Sequence, residues 1–73
     1  MAIQKAKYEA LSDFSFRNVK TGLFVCVHAA DQYKILEIDR DYGAVRINKI
    51  GTEEEYWISL IKFATHFVEV KND

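Results

Sequence analysis

Apolar positions along this chain recur at a spacing of two through most of its length, and the breaks in that alternation fall at glycines. The runs "LFVCVH" (23–28), "YKILEID" (33–39), "AVRINKI" (44–50) and "EYWISL" (55–60) are rich in β-branched and aromatic residues and have strand length. Gly22 precedes the first run, Gly43 parts the second from the third, and Gly51 parts the third from the fourth. Each stands where a turn needs a residue tolerant of positive φ. Without proline, repeats or a linker tract, nothing divides the 73 residues. A single domain is expected over 1–73, with a β core at 22–70 and an extension at 1–20.

The two ends read differently. Ala2 to Leu11 consists of good helix formers, with Ile3, Ala6, Ala10, Leu11 and then Phe14 on one face of a 3.6-residue period. The stretch "AKYEALSDFSF" also alternates as a strand, and the sequence leaves both readings open. Near the other end, Ser59 is placed to cap a short helix, "LIKFATH", with Leu60 or Ile61 and Ala64 turned inward. The closing "FVEV" alternates as a last strand, and Val68 is expected in the core.

Tight hairpins fix which residues face one another. A four-residue loop at "RDYG" (40–43) pairs Asp39 with Ala44, Ile38 with Val45, Glu37 with Arg46, Leu36 with Ile47 and Ile35 with Asn48. A loop at "GTEE" (51–54) pairs Ile47 with Ile58, Val45 with Leu60, Arg46 with Ser59 and Asn48 with Trp57. The inward face then carries Leu36, Ile47 and Ile58 in one row and Ile38, Val45 and Leu60 in the next, with Val25 and Val27 as partners. Burying each such side chain contributes about 1.5 to 3 kcal/mol. The outward face carries Ile35, Asn48 and Trp57 beside Glu37, Arg46 and Ser59. Tyr56 falls at the rim.

Composition and charge narrow the function. Hydrophobic residues make up 49% of the chain, enough for a packed core at this length. Ten basic residues against eleven acidic give a net charge of −1, so no overall positive field draws the chain to a phosphate backbone. The single cysteine, Cys26, cannot form an internal disulfide, and it lies on a strand where a free thiol usually acts as a small buried hydrophobe. The N-terminus lacks the apolar stretch of a signal peptide, and no apolar run reaches the roughly 18 residues of a membrane span. A cytoplasmic protein is expected.

Catalytic and metal chemistry find little support. His28 and His66, the two histidines, lie far apart without ligand spacing. A Cys26/His66 nucleophilic pair lacks an orienting third group and an oxyanion hole. The acidic run Glu53 to Glu55 falls in an expected hairpin loop, where solvated charges are ordinary. No enzyme activity, metal or cofactor is expected.

The element order, a strand, three hairpin-linked strands, a short helical turn and a final strand, resembles that of SH3-like modules such as KOW and Tudor domains. The resemblance runs over "GLFVCV", "YKILEID", "AVRINKI", "YWISL" and "FVEV", from about Gly22 to Val70. It implies a mainly β fold: a small five-stranded barrel or curved antiparallel sheet with a short helix before the last strand. It is one of layout and transfers no site residues. A Tudor-like aromatic cage from Tyr33, Tyr42 and Tyr56 is one function it suggests.

Two binding functions follow. The first is a protein-interaction module whose partner, another protein or a second copy, meets Trp57, Ile35, Arg46 and Asn48, since Trp and Arg dominate interaction hot spots. In size and style such a domain resembles accessory or inhibitory proteins of phages and mobile elements. Against it stands the possibility that Ile3, Tyr8, Leu11, Phe14 and Phe16 fold back and cover Trp57. The alternative is a nucleic-acid-binding barrel using Arg17, Lys20, Lys34, Arg46 and Lys49, with bases stacked on Phe24 or Trp57.

Overall fold

The computed structural model describes residues 6–70. Seven strands and one helix follow in order: β1 (Lys7–Ala10), β2 (Phe14–Arg17), β3 (Phe24–Val27), β4 (Gln32–Asp39), β5 (Ala44–Lys49), β6 (Glu55–Ser59), α1 (Leu60–His66) and β7 (Phe67–Val70). Five strands form one antiparallel sheet in the order β6-β5-β4-β1-β7, and β2 and β3 form a separate hairpin. The sheet does not close into a barrel. β6 and β7 are its two edges.

Residues 7–17 are integral to this arrangement rather than an appendage to it. β1 is extended, not helical, and the part of the expected helix before residue 6 lies outside the described residues. A helix of this length is marginal on its own, whereas β1 gains ladder partners on both sides, Tyr8 facing Tyr33 of β4 and Ala10 facing Phe67 of β7. β2 pairs with β3 so that Phe14 faces Val27 and Phe16 faces Val25. These four point the same way, and the hairpin lies with that apolar side on the core of the five-stranded sheet.

The first hairpin register holds for three pairs and then changes. Asp39 faces Ala44, Ile38 faces Val45 and Glu37 faces Arg46, but Ile35 rather than Leu36 faces Ile47. Leu36 is the extra residue of a β-bulge, which sharpens the local twist. β4 thereby serves two partners, Gln32 and Tyr33 pairing with β1 and Tyr33 through Asp39 pairing with β5. Ile35 consequently turns to the core, while Leu36 and Ile38, expected inside, stay exposed.

The second hairpin slips by two. Val45 faces Ile58, Arg46 faces Trp57, Ile47 faces Tyr56 and Asn48 faces Glu55. The Lys49 amide donates to the Glu54 carbonyl at 3.1 Å, so the loop spans 50–53, one position earlier than expected. Gly51, at φ 88°, supplies the left-handed turn, and the Thr52 hydroxyl donates to the Lys49 carbonyl at 2.9 Å. A slip of two preserves the faces. Ile47 and Ile58 point inward as expected, although each meets a different partner.

The core is centred on Phe16, Val27, Tyr33, Val45, Ile47 and Ile58, all fully buried. Aromatic edges join the hairpin to the sheet: Phe16 meets Tyr56 with ring centres 6.2 Å apart, and Phe14 meets Phe67 at 5.6 Å. Ser59 caps α1 as the sequence predicts, its Oγ accepting from the Lys62 amide at 3.0 Å. The helix buries Phe63, however, and leaves Ile61 and Ala64 in solvent. In β7 the inward residue is Phe67, and Val68, opposite Glu9 on the outer side, is exposed.

Candidate functional site

Register alone brings Trp57 and Arg46 together. They face each other directly across β5 and β6, with Glu37 completing the row on β4. Arg46 bridges two carboxylates, Nη1 donating to Glu55 at 2.7 Å and Nη2 to Glu37 at 3.2 Å. Hydrogen bonding to Glu55, supported by Glu37, holds the guanidinium even more firmly protonated than usual. Its Cζ lies 6.0 Å from the centre of the half-buried Trp57 ring.

A second cation reaches the same indole from the β2–β3 hairpin. The turn at 18–22 is organised by Asn18, whose Oδ1 accepts from the amides of Lys20 and Thr21 at 3.0 and 3.2 Å. This turn crosses to the sheet, where the Val19 amide donates to the Trp57 carbonyl at 2.9 Å and the Tyr42 hydroxyl donates to the Val19 carbonyl at 2.8 Å. Lys20 Nζ is thus set 4.3 Å from the Trp57 ring centre, 4.7 Å from that of Tyr42 and 3.3 Å from Asp39 Oδ2. The Tyr42 amide also donates to Asp39 at 3.0 Å. That bond, followed by the one from Lys20, draws the Asp39 carboxyl below its ordinary range.

Of the four residues expected at a partner surface, Trp57 and Arg46 lie side by side on the sheet's outer side, and Ile35 and Asn48 do not join them. The bulge turns Ile35 inward. Asn48 is 8% exposed and spends its amide on the hairpin loop, Nδ2 donating to the carbonyls of Thr52 and Glu54 at 3.0 and 2.9 Å. Lys20 and Tyr42 lie beside Trp57 instead. The sequence signal for Lys20 was "NVKTG", a turn-forming stretch between "FSFR" and "LFVCV" that marks a hairpin tip, while Tyr42 lies in the expected loop "RDYG".

Of the residues expected to cover Trp57, the four described ones are placed elsewhere. Phe14 and Phe16 join the core side of the hairpin, Tyr8 packs edge-on against Phe63 with ring centres 5.1 Å apart, and Leu11 is exposed. Ile3 lies outside the described residues. The three tyrosines expected as a cage do not converge as one, since Tyr33 is fully buried against Phe67 and the Tyr56 hydroxyl donates to Glu54.

The basic residues are distributed among separate partners. Arg17 lies 4.3 Å over the Phe24 ring and donates to the Gly22 carbonyl, Lys49 pairs with Asp31 at 3.7 Å, and Lys20 and Arg46 are engaged as described. Lys34, opposite Asn48, forms no ion pair among the described residues. Cys26 is exposed rather than buried, because Val25 and Val27 take the inward positions of β3. His66 stacks on Phe14 with ring centres 4.2 Å apart. Among the described residues no group of three or more His, Cys, Asp or Glu is placed to hold a metal ion, and no helix is long and apolar enough to cross a membrane. No family model, curated protein or solved structure matches the chain.

Proposed function

We propose that this protein is a small, non-enzymatic protein-interaction module on an SH3-like frame. It binds another protein, or a second copy of itself, through the surface formed by Trp57, Arg46, Lys20 and Tyr42. The observation that carries this reading is the gathering of two aromatic rings and two cations from three different chain segments at one place on the sheet's outer side. Tryptophan, tyrosine and arginine are the residues that dominate interaction energetics. Intramolecular pairing of Arg46 and Lys20 weighs against a phosphate-binding role for the same surface, because each cation would have to exchange an existing carboxylate.

The strand order supports the SH3-like reading: a first strand beside the last, a three-strand meander and one helical segment before the final strand. In that comparison the first strand is β1, and the β2–β3 hairpin is a long excursion between it and the meander. An accessory or inhibitory role of the kind small phage and mobile-element proteins fill is compatible with binding as the sole activity. A cytoplasmic setting suits Cys26, whose exposed free thiol persists in a reducing compartment.

Capture from lysate of the source organism or its host tests the reading, with tagged wild type compared against Trp57→Ala after both are shown to be folded. A protein retained by wild type and lost by the variant supports it. A variant that loses more than about 3 kcal/mol of stability yet captures the same proteins identifies Trp57 as a packing residue and sinks the proposal.

A further inference from the structure

Lys20 occupies a site that has the chemistry of a receptor. Its ammonium is bounded by the Trp57 ring, the Tyr42 ring and the Asp39 carboxylate, at 4.3, 4.7 and 3.3 Å. Both rings lie within the distance over which a cation gains from an aromatic face. The walls are held without the lysine side chain. The Tyr42 hydroxyl and the Trp57 carbonyl are tied to the Val19 backbone, and the Tyr42 amide is tied to Asp39.

We infer that Trp57, Tyr42 and Asp39 form a binding site for a lysine side chain of a partner protein, and that Lys20 is an internal stand-in which the partner's lysine displaces. The inference rests on the Trp57 surface being the interaction face, and names what that face reads. The class of cation follows from Asp39. A primary ammonium keeps an N–H to donate to Oδ2 while two further sides meet the rings. A quaternary ammonium has none to give, and a guanidinium is planar and broader than the point charge now seated between the rings. Lys20 is itself partly solvent-exposed, its side chain retaining 38% of its accessible surface, so an incoming ammonium has a path to the site.

Self-occupation sets the size of the effect. A cage filled by its own lysine about nine-tenths of the time binds an external ammonium about tenfold more weakly than an empty one. Lys20→Ala empties the cage and leaves the backbone contacts of Val19 in place. The probe is n-butylammonium chloride, which carries the lysine stem and head, titrated at constant ionic strength while the Trp57 indole N–H and Tyr42 ring resonances are followed by NMR. The expected result is saturable shifts at both rings in Lys20→Ala, with an apparent affinity about tenfold above wild type. Those shifts should vanish in Lys20→Ala/Asp39→Asn.

Three results overturn the inference: folded Lys20→Ala giving no saturable shift, equal affinity in wild type and Lys20→Ala, or tetramethylammonium binding as tightly as n-butylammonium. The failures of the two proposals are distinguishable. Loss of a captured protein in Trp57→Ala with no butylammonium site removes the lysine receptor and keeps the interaction face. A butylammonium site with unchanged capture in Trp57→Ala removes the interaction face, and with it the partner's lysine, and leaves only a site for a free ammonium.

Discussion

Asn48 on β5 donates from Nδ2 to the Glu54 carbonyl at 2.9 Å, and the same amide also reaches the Thr52 carbonyl at 3.0 Å. One buried side chain thus supplies a donor for the Thr52 carbonyl and a second bond to the Glu54 carbonyl, which the Lys49 amide also serves. Asn48→Ala leaves the Thr52 carbonyl to water or unpaired and the Glu54 carbonyl with the Lys49 amide alone, and should cost about 1 to 3 kcal/mol in urea denaturation. Capture through the Trp57 surface should survive, because none of Trp57, Arg46, Lys20 and Tyr42 takes part in the lost bonds. A stability change below about 0.5 kcal/mol would mean that water replaces the amide without loss.

The cap of α1 makes a smaller, local prediction. Ser59 Oγ accepts from the Lys62 amide, and the helix it starts is only seven residues long. Ser59→Ala should lower stability by about 1 kcal/mol, and Ser59→Asp, which restores an acceptor at the same position, should recover most of it. Equal losses in both variants would show that the position matters for its ladder pairing with Ala44 instead.

Alkaline pH should expose the role of Tyr33. Burial pushes its phenol from an ordinary 10.0 up to about 12, with Asp31 and Glu54 adding to the effect. The folded state therefore keeps a proton that the unfolded chain has already lost. The associated stability is complete below pH 10.0 and disappears as pH rises through about 12. Tyr33→Phe removes the titrating group while keeping the ring that packs on Phe67. Urea midpoints measured between these limits should fall more steeply for wild type than for Tyr33→Phe. Parallel curves would show that Tyr33 ionises without regard to folding.

What the sequence disclosed was local chemistry and parity. Ser59 as a cap and Gly43 as a turn residue are decided within a few positions, and both stand as expected. Trp57 points outward in spite of a register slip, because a slip of two leaves every side chain on its own face. Features set by distant contacts were not legible. Ile35 and Leu36 are both apolar and adjacent, so nothing in the pattern said which would turn inward once β4 had to serve both β1 and β5. Phe14 and Phe16 read as an apolar extension until "NVKTG" is taken as a hairpin tip. Lys20 reaches Trp57 only through that fold-back, with 36 positions between them in the chain.

The bulge at Leu36 carries the last prediction. Without Leu36, Ile35 and Glu37 become consecutive, as their partners Ile47 and Arg46 already are, so the β4–β5 ladder would close into unbroken alternation. Local pairing alone therefore favours the deletion. The twist that a bulge adds is what turns the start of β4 toward β1, where Tyr8 meets Tyr33 and Glu9 meets Gln32. Deleting Leu36 should then cost about 1 to 3 kcal/mol in spite of the improved ladder. Hydrogen exchange should locate the damage, with faster exchange at β1 and the start of β4 and retained protection at Glu37–Asp39 and Ala44–Arg46. A deletion variant as stable as wild type, with β1 still protected, would show that β4 reaches both partners without the bulge.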